Sequence, residues 1–207
     1  MMATTHVLWG MALALPVLAT APEFAPAAFA AGLVGGLVPD LDLYAGHRKT
    51  LHYPIYASLA TAPALALALA APSTLTAGLA VALAASALHA AADVLGGGLE
   101  LRPWQEGSER AVYSHYHGRW IRPRRLVRYD GAPEDLALAA VVAAPLVGTG
   151  DGTVTAVTVA FLSVSAVYVL LRKPLATLAE RLAGLVPQPL APYLPERYRE
   201  SGAYSRR

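Results

Sequence analysis

The chain has 207 residues, of which 56% are hydrophobic and 14% charged, and its formal net charge is +2. So few charged groups exclude an ordinary soluble domain, in which about a quarter of residues are charged, and so small a positive excess excludes a strongly basic nucleic-acid-binding surface. The absence of cysteine excludes disulfides and thiolate metal sites, which leaves an integral membrane protein with a single helical domain.

Apolar runs lie at about 7–21, 24–38, 54–71, 74–95, 134–149 and 153–171. Runs of about 17 to 25 residues cross a bilayer as helices. The third, fourth and sixth meet that length, while the others need flanking residues, a thinned bilayer or a re-entrant path. The pattern predicts an all-α polytopic bundle of about six transmembrane or re-entrant helices. One membrane-embedded domain covers 1–186, with cytoplasmic loops at 39–53 and 96–133 and a polar tail at 187–207 whose composition permits disorder. Pro63 and Pro145 interrupt runs in a way membrane helices tolerate, and abundant Ala and Gly predict close helix packing.

With six crossings, the loops APEFAP, APST and GTGDG on one side carry no Lys or Arg, and all 16 basic residues fall on the other. The positive-inside rule makes that side cytoplasmic, with both termini inside, in a cell (inner) membrane. Trp104, Trp120 and Tyr129 suit an interfacial position, and the basic, aromatic segment 96–133 suits anionic lipid headgroups. After Pro174, Leu175, Leu178, Ala179, Leu182, Leu185 and Val186 recur at helical spacing and predict an interfacial amphipathic helix.

The chemistry-bearing groups sit beside these apolar runs. In the stretch GGLVPDLDLYAGHRKTLH, Asp40, Asp42, His47 and His52 fall together. Ionisable groups near hydrocarbon are costly and tend to be paired or bound to metal. Pro39 turns the chain out of a helix, so alternate carboxylates can face one centre, although a solvated turn with capping Asp residues is the plainer reading. His89 and Asp93 are four apart in LAASALHAAADVL, on one helix face about 5–6 Å from each other. They can share a cation, or Asp93 can orient the imidazole. The plainer reading there is a hydrogen-bonded His and a helix-end Asp. An Asp at a helix C-terminus opposes the dipole, a conflict that a nearby cation removes. The topology places His6 on the same face. Arg48 can pair with a phosphate or carboxylate, or serve as a plain positive-inside arginine. His115 and His117 alternate at strand spacing without a matching carboxylate and read as surface or lipid-facing residues.

The ordered set Thr5-His6, Pro39-Asp40-Leu41-Asp42, His47-Arg48-Lys49-Thr50-Leu51-His52 and His89-Ala90-Ala91-Ala92-Asp93 resembles the YdjM-like membrane-bound metal-dependent hydrolases over roughly residues 4–103. The family pattern places Thr before the second His and Ser after it, where this chain has Leu51 and Tyr53. The resemblance implies a multi-helix membrane protein with a His/Asp metal site and hydrolase activity, on a phosphoester or lipid-derived substrate at the cytoplasmic face.

The ligand set expected is His6, Asp42, His47, His52, His89 and Asp93, with Asp40 as base and Arg48 as a substrate-facing cation. Imidazoles favour Zn²⁺, and the carboxylates keep Mn²⁺ and Mg²⁺ open. The partners expected are membrane lipids, the divalent metal and a small-molecule or lipid substrate, with no direct nucleic-acid binding. Two other readings are a metal-stabilised scaffold that binds a partner without turnover, and an ion transporter. The second is disfavoured because transporter sites lie near the bilayer midplane, whereas these groups gather toward one end.

Overall fold

The computed structural model describes residues 1–199, so the end of the polar tail, 200–207, lies outside the described residues. The protein is mostly helical. In chain order the helices are α1 (Ala3–Ala12), α2 (Leu15–Thr20), α3 (Ala25–Leu37), α4 (Pro54–Ala70), α5 (Thr74–Leu95), α6 (Pro133–Val147), α7 (Gly152–Leu185) and the short α8 (Glu196–Arg199). Among the described residues, four stretches are long and apolar enough to cross a membrane: Ala3–Thr20, Pro22–Tyr44, Thr74–Leu95 and Gly152–Leu185. The remaining two expected crossings do form helices, but α4 has 17 residues and α6 has 15. At a rise of about 1.5 Å per residue they reach roughly 22–26 Å, short of a core of about 30 Å.

Helix α1 is the central post. Val7, Leu8 and Met11 are buried against Ala28 and Phe29 of α3, Val81 of α5 and Ala139, Ala143 and Leu146 of α6. Small residues set the spacing. A Cβ on Gly10 would strike the Gly32 carbonyl and one on Gly32 the Gly10 carbonyl, while Gly35 lies against Ala82 of α5 and Gly36 against the His6 carbonyl. These contacts replace side-chain packing with backbone contact, the usual basis of close helix association in lipid. They also bring the N-terminal end of α1 beside the C-terminal ends of α3 and α5.

The N-termini of two helices carry identifiable caps. Ser73 and Thr76 form a reciprocal capping box at α5, and Asp151 accepts from the Val154 amide at 2.8 Å at α7. Helix α7 departs from expectation. It continues through Pro174 to Leu185, so the amphipathic stretch is the second half of one long helix rather than a separate surface helix. Proline removes one backbone bond, a loss that packing can offset. Here Arg172 holds Asp130 through Nε at 2.9 Å and Nη2 at 3.1 Å, and Glu180 pairs with Arg102. Both ties reach into the segment between α5 and α6, and they keep the helix docked over it.

That segment is more ordered than a loop. It contains a small antiparallel hairpin, β1 (Val112–Ser114) and β2 (Arg119–Ile121), with Val112 opposite Ile121. The described part of the tail also folds, as a 3₁₀ turn at Gln188–Tyr193 and then α8.

Replacing Gly10 or Gly32 with Leu forces α1 and α3 apart, and should lower stability by about 1–3 kcal/mol or more, read as a drop in thermal midpoint in detergent. A second expected outcome concerns Asp130. Burial acts to raise its carboxyl, but the Arg172 charge and hydrogen bonds outweigh this and hold it below the usual range. Its contribution is therefore present above its unfolded value of about 3.9 and lost as pH falls through the lower folded value. The midpoint gap between wild type and Asp130→Asn should be widest at neutral pH and close in strong acid.

Candidate metal centre

The ends of α1, α3 and α5 and the loop after α3 meet at one end of the bundle. Beyond α3 the chain tightens into a 3₁₀ turn at Val38–Tyr44, which carries Asp40 and Asp42. Asp42 then organises the loop beyond the turn. Its Oδ1 takes the Arg48 amide at 3.2 Å, and Oδ2 takes those of Lys49 and Leu51 at 3.3 and 3.1 Å. The same two oxygens meet His47 Nδ1 and His52 Nδ1, each at 3.0 Å. One buried carboxylate therefore winds residues 47–52 around itself. Arg48 adopts a left-handed backbone, φ 58°, a conformation costing about 1–3 kcal/mol that persists only where its surroundings fix it. Its amide is held by Asp42, and its carbonyl accepts from the Tyr113 amide of β1 at 2.9 Å.

His89 and Asp93 project from the last turns of α5, and both are buried. Four ligand atoms converge, one each from Asp40, His52, His89 and Asp93, all within 4.8 Å of one another. His52 Nε2 is 3.2 Å from His89 Nε2 and 3.3 Å from Asp93 Oδ2. His89 Nε2 is 3.5 Å from both Asp40 Oδ1 and Asp93 Oδ2. Ligand atoms bound at about 2.0–2.1 Å in a tetrahedron lie about 3.4 Å apart, which is the spacing of these four pairs.

Electrostatics points the same way. His52 Nδ1 faces Asp42, and His89 Nδ1 faces the Gly36 carbonyl at 2.7 Å. An acceptor at Nδ1 keeps the proton there and turns the Nε2 lone pair outward. Two Nε2 lone pairs 3.2 Å apart repel unless a cation or a proton lies between them. Asp93 Oδ2 is buried with no hydrogen-bond partner, although Arg48 Nε is 3.2 Å away. The four residues thus form a group that could hold a metal ion. Without one, a proton serves: burial opposes charge on His52, but its bonds to Asp42 and Asp93 prevail and raise it.

The other expected residues stand around this group. His6 Nε2 meets Asp93 Oδ1 at 3.1 Å, and its ring stacks on His89 with centroids 3.7 Å apart. Asp42 lies behind His52, with both oxygens engaged by the loop. His47 sits beyond Asp42, and burial outweighs the Asp42 bond to lower its pKa, which keeps the ring neutral. Arg48 is buried, with Nη1 on the Gly97 carbonyl at 2.9 Å. The helix-end conflict foreseen for Asp93 is met by Arg48, whose Nε is 3.2 Å from Oδ2. Asp40, expected as a base, stands among the four converging groups. His115 and His117 lie apart, on the Lys49 carbonyl and the Ser114 hydroxyl.

One anchoring residue is not recognisable from sequence. Asp135, fully buried in the first turn of α6, accepts from the Met2 amide at 2.8 Å, the Thr5 hydroxyl at 2.7 Å and the Gly131 amide at 3.1 Å. It fixes the turn that presents His6. Its sequence signal, an acidic residue at a helix start, is equally that of an ordinary helix N-terminus.

A cavity of ≈ 400 Å³ borders the group, with Asp40, His47 and Arg48 in its wall. Comparison with protein-family models, with curated proteins and with solved structures gives no match.

If Asp42 acts by orienting His52, Asp42→Asn should weaken zinc affinity by about 10–100-fold without abolishing binding. His89→Ala and Asp93→Asn should abolish stoichiometric binding. Competition with a chromogenic chelator on purified protein measures all three.

Proposed function

We propose that this protein is a metal-dependent hydrolase of the membrane, acting on a phosphoester or lipid-derived substrate at the cytoplasmic face. The observation that carries the reading is the pair of facing Nε2 atoms, with two carboxylates completing the group, one of which, Asp40, lies in the wall of a cavity. The resemblance to YdjM-like hydrolases supports it. So does the position of the group where the ends of α1, α3 and α5 meet, on the side where the positive-inside rule places the cytoplasm. Asp40, His52, His89 and Asp93 would hold the ion, with Zn²⁺ favoured by the imidazoles and Mn²⁺ or Mg²⁺ as alternatives. When bound, such a cation supplies Lewis-acid polarisation of the scissile group.

The side chains divide the remaining work. His47 lines the cavity, and its Nδ1 is engaged by Asp42 Oδ1 at 3.0 Å, so Nε2 is the atom that accepts a proton from the attacking water. Asp42 holds that ring as it holds His52, orienting a base and a ligand with one carboxylate. Arg48 offers charge to an anionic substrate at the cavity wall. Asp40, with Oδ1 turned to His89 Nε2, no longer suits the base role that sequence order alone gave it.

Purified protein should carry about one divalent ion per chain and hydrolyse members of a phosphoester and lipid panel, with both properties lost in His89→Ala. His47→Gln should keep its metal and lose turnover by about 10²–10⁴-fold, the usual contribution of a general base. Metal loss that lowers the thermal midpoint, with no turnover on any substrate, would instead favour the scaffold reading.

A further inference from the structure

The lining of the cavity beside the metal group is of two chemical kinds. Asp40, His47 and Arg48 are ionisable. Leu43 and, from α7, Val164 are apolar, and Val164 is 56% exposed on a helix long and apolar enough to span a membrane. One cavity thus touches both the ionisable cluster and an exposed residue of a candidate transmembrane helix. Ser165 holds the seam between α7 and α1 through the Thr4 hydroxyl at 2.7 Å.

A second cation enters from the far end of the chain. Arg197 of α8 lines the cavity, and its Nε is buried without a hydrogen-bond partner. The chain is held there by Arg110, whose Nη1 meets Glu196 at 3.0 Å. Asp130 is matched by Arg172, while Glu100 accepts the Ser108 amide through Oε1 at 3.2 Å and has Oε2 buried without a hydrogen bond. The lining carries three carboxylates (Asp40, Glu100, Asp130) and two guanidiniums (Arg48, Arg197), an excess of one negative charge that a divalent ion at the neighbouring group would turn positive.

We propose that the cavity binds a single-chain membrane amphiphile with a phosphate headgroup. Arg197 grips the phosphate, Arg48, itself held by Gly97 and Asp93, adds positive charge at the wall, and the hydrocarbon chain leaves past Val164 into the bilayer. The proposal rests on the hydrolase reading for the position of the ion, and it adds the substrate class, the second headgroup ligand and the lateral route. A planar guanidinium pairs with phosphate in bidentate fashion. A chain that stays in the bilayer avoids the cost of bringing apolar surface into water.

The test uses two probes that cannot be hydrolysed, hexadecylphosphonate and ethylphosphonate, titrated into zinc-loaded full-length protein in phosphatidylcholine nanodiscs. Arg197→Ala should weaken both by about tenfold, with partial recovery in Arg197→Lys. Val164→Trp, at an exposed position where folding is not at stake, should weaken hexadecylphosphonate by about tenfold and ethylphosphonate by less than about twofold. Indifference of both probes to Arg197→Ala overturns the headgroup assignment. Equal response of the two probes to Val164→Trp, or binding of ethylphosphonate alone, overturns the lateral route and points to a soluble phosphate. Binding of the probes by a protein that turns over no phosphoester retains this proposal and removes the hydrolase reading. Turnover of soluble phosphoesters with Val164→Trp silent does the reverse.

Discussion

Repulsion between two imidazole lone pairs is the constraint that governs the site. His52 and His89 come from separate elements, yet each has its Nδ1 committed to an oxygen of the protein, Asp42 for one and Gly36 for the other. The remaining nitrogens then face each other across 3.2 Å, an arrangement that needs positive charge between them. Either a metal ion or a proton between them supplies it. The Asp93 oxygen beside them has no hydrogen bond, although Arg48 Nε, 3.2 Å away, already brings positive charge to it.

Helix spacing is what makes this arrangement rigid. The Gly36 carbonyl can reach His89 because α3 lies in backbone contact with α1 and α5 through Gly10, Gly32, Gly35 and Gly36. A larger residue at any of these positions would widen the gap and move the imidazole with it. Packing and chemistry therefore share the same residues, and the apolar sequence of the first hundred residues serves to bring three helix ends to one point. His6, stacked on His89 at 3.7 Å, occupies the space that the close approach leaves.

Much of this is legible in the sequence, for physical reasons. Charged side chains are rare in apolar helices, so His89, Asp93 and the cluster after α3 stand out. Spacing by four places His89 and Asp93 on one face. What spacing does not resolve is the division of labour within PDLD. The 3₁₀ turn sends Asp40 toward His89 and Asp42 toward the loop amides, and two carboxylates two residues apart carry no local signal of which does which. Nor can the contact between Asp135 and Thr5, 130 positions apart, be read from a helix-start acid. The unbroken passage of α7 through Pro174 is hidden for a similar reason, since the ties that hold it, Arg172 to Asp130 and Glu180 to Arg102, are tertiary. Run length does not fix the number of spans either, because α4, at the lower limit of spanning length, and α6, below it, are apolar but short.

The hairpin that leans on Arg48 marks a division of the chain. Every side chain of the four-membered cluster, and every oxygen that orients its imidazoles, comes from residues before Gly96. Much of the neighbouring chamber is instead built by later residues, from Gly98 through Tyr168 to Arg197. The four converging side chains and a large part of the walls beside them are therefore drawn from different stretches of one polypeptide. Changes after position 96 can reshape that chamber without replacing any of the four, provided they spare Asp135 and the Tyr113 amide, which hold Thr5 and the Arg48 loop from the later part of the chain.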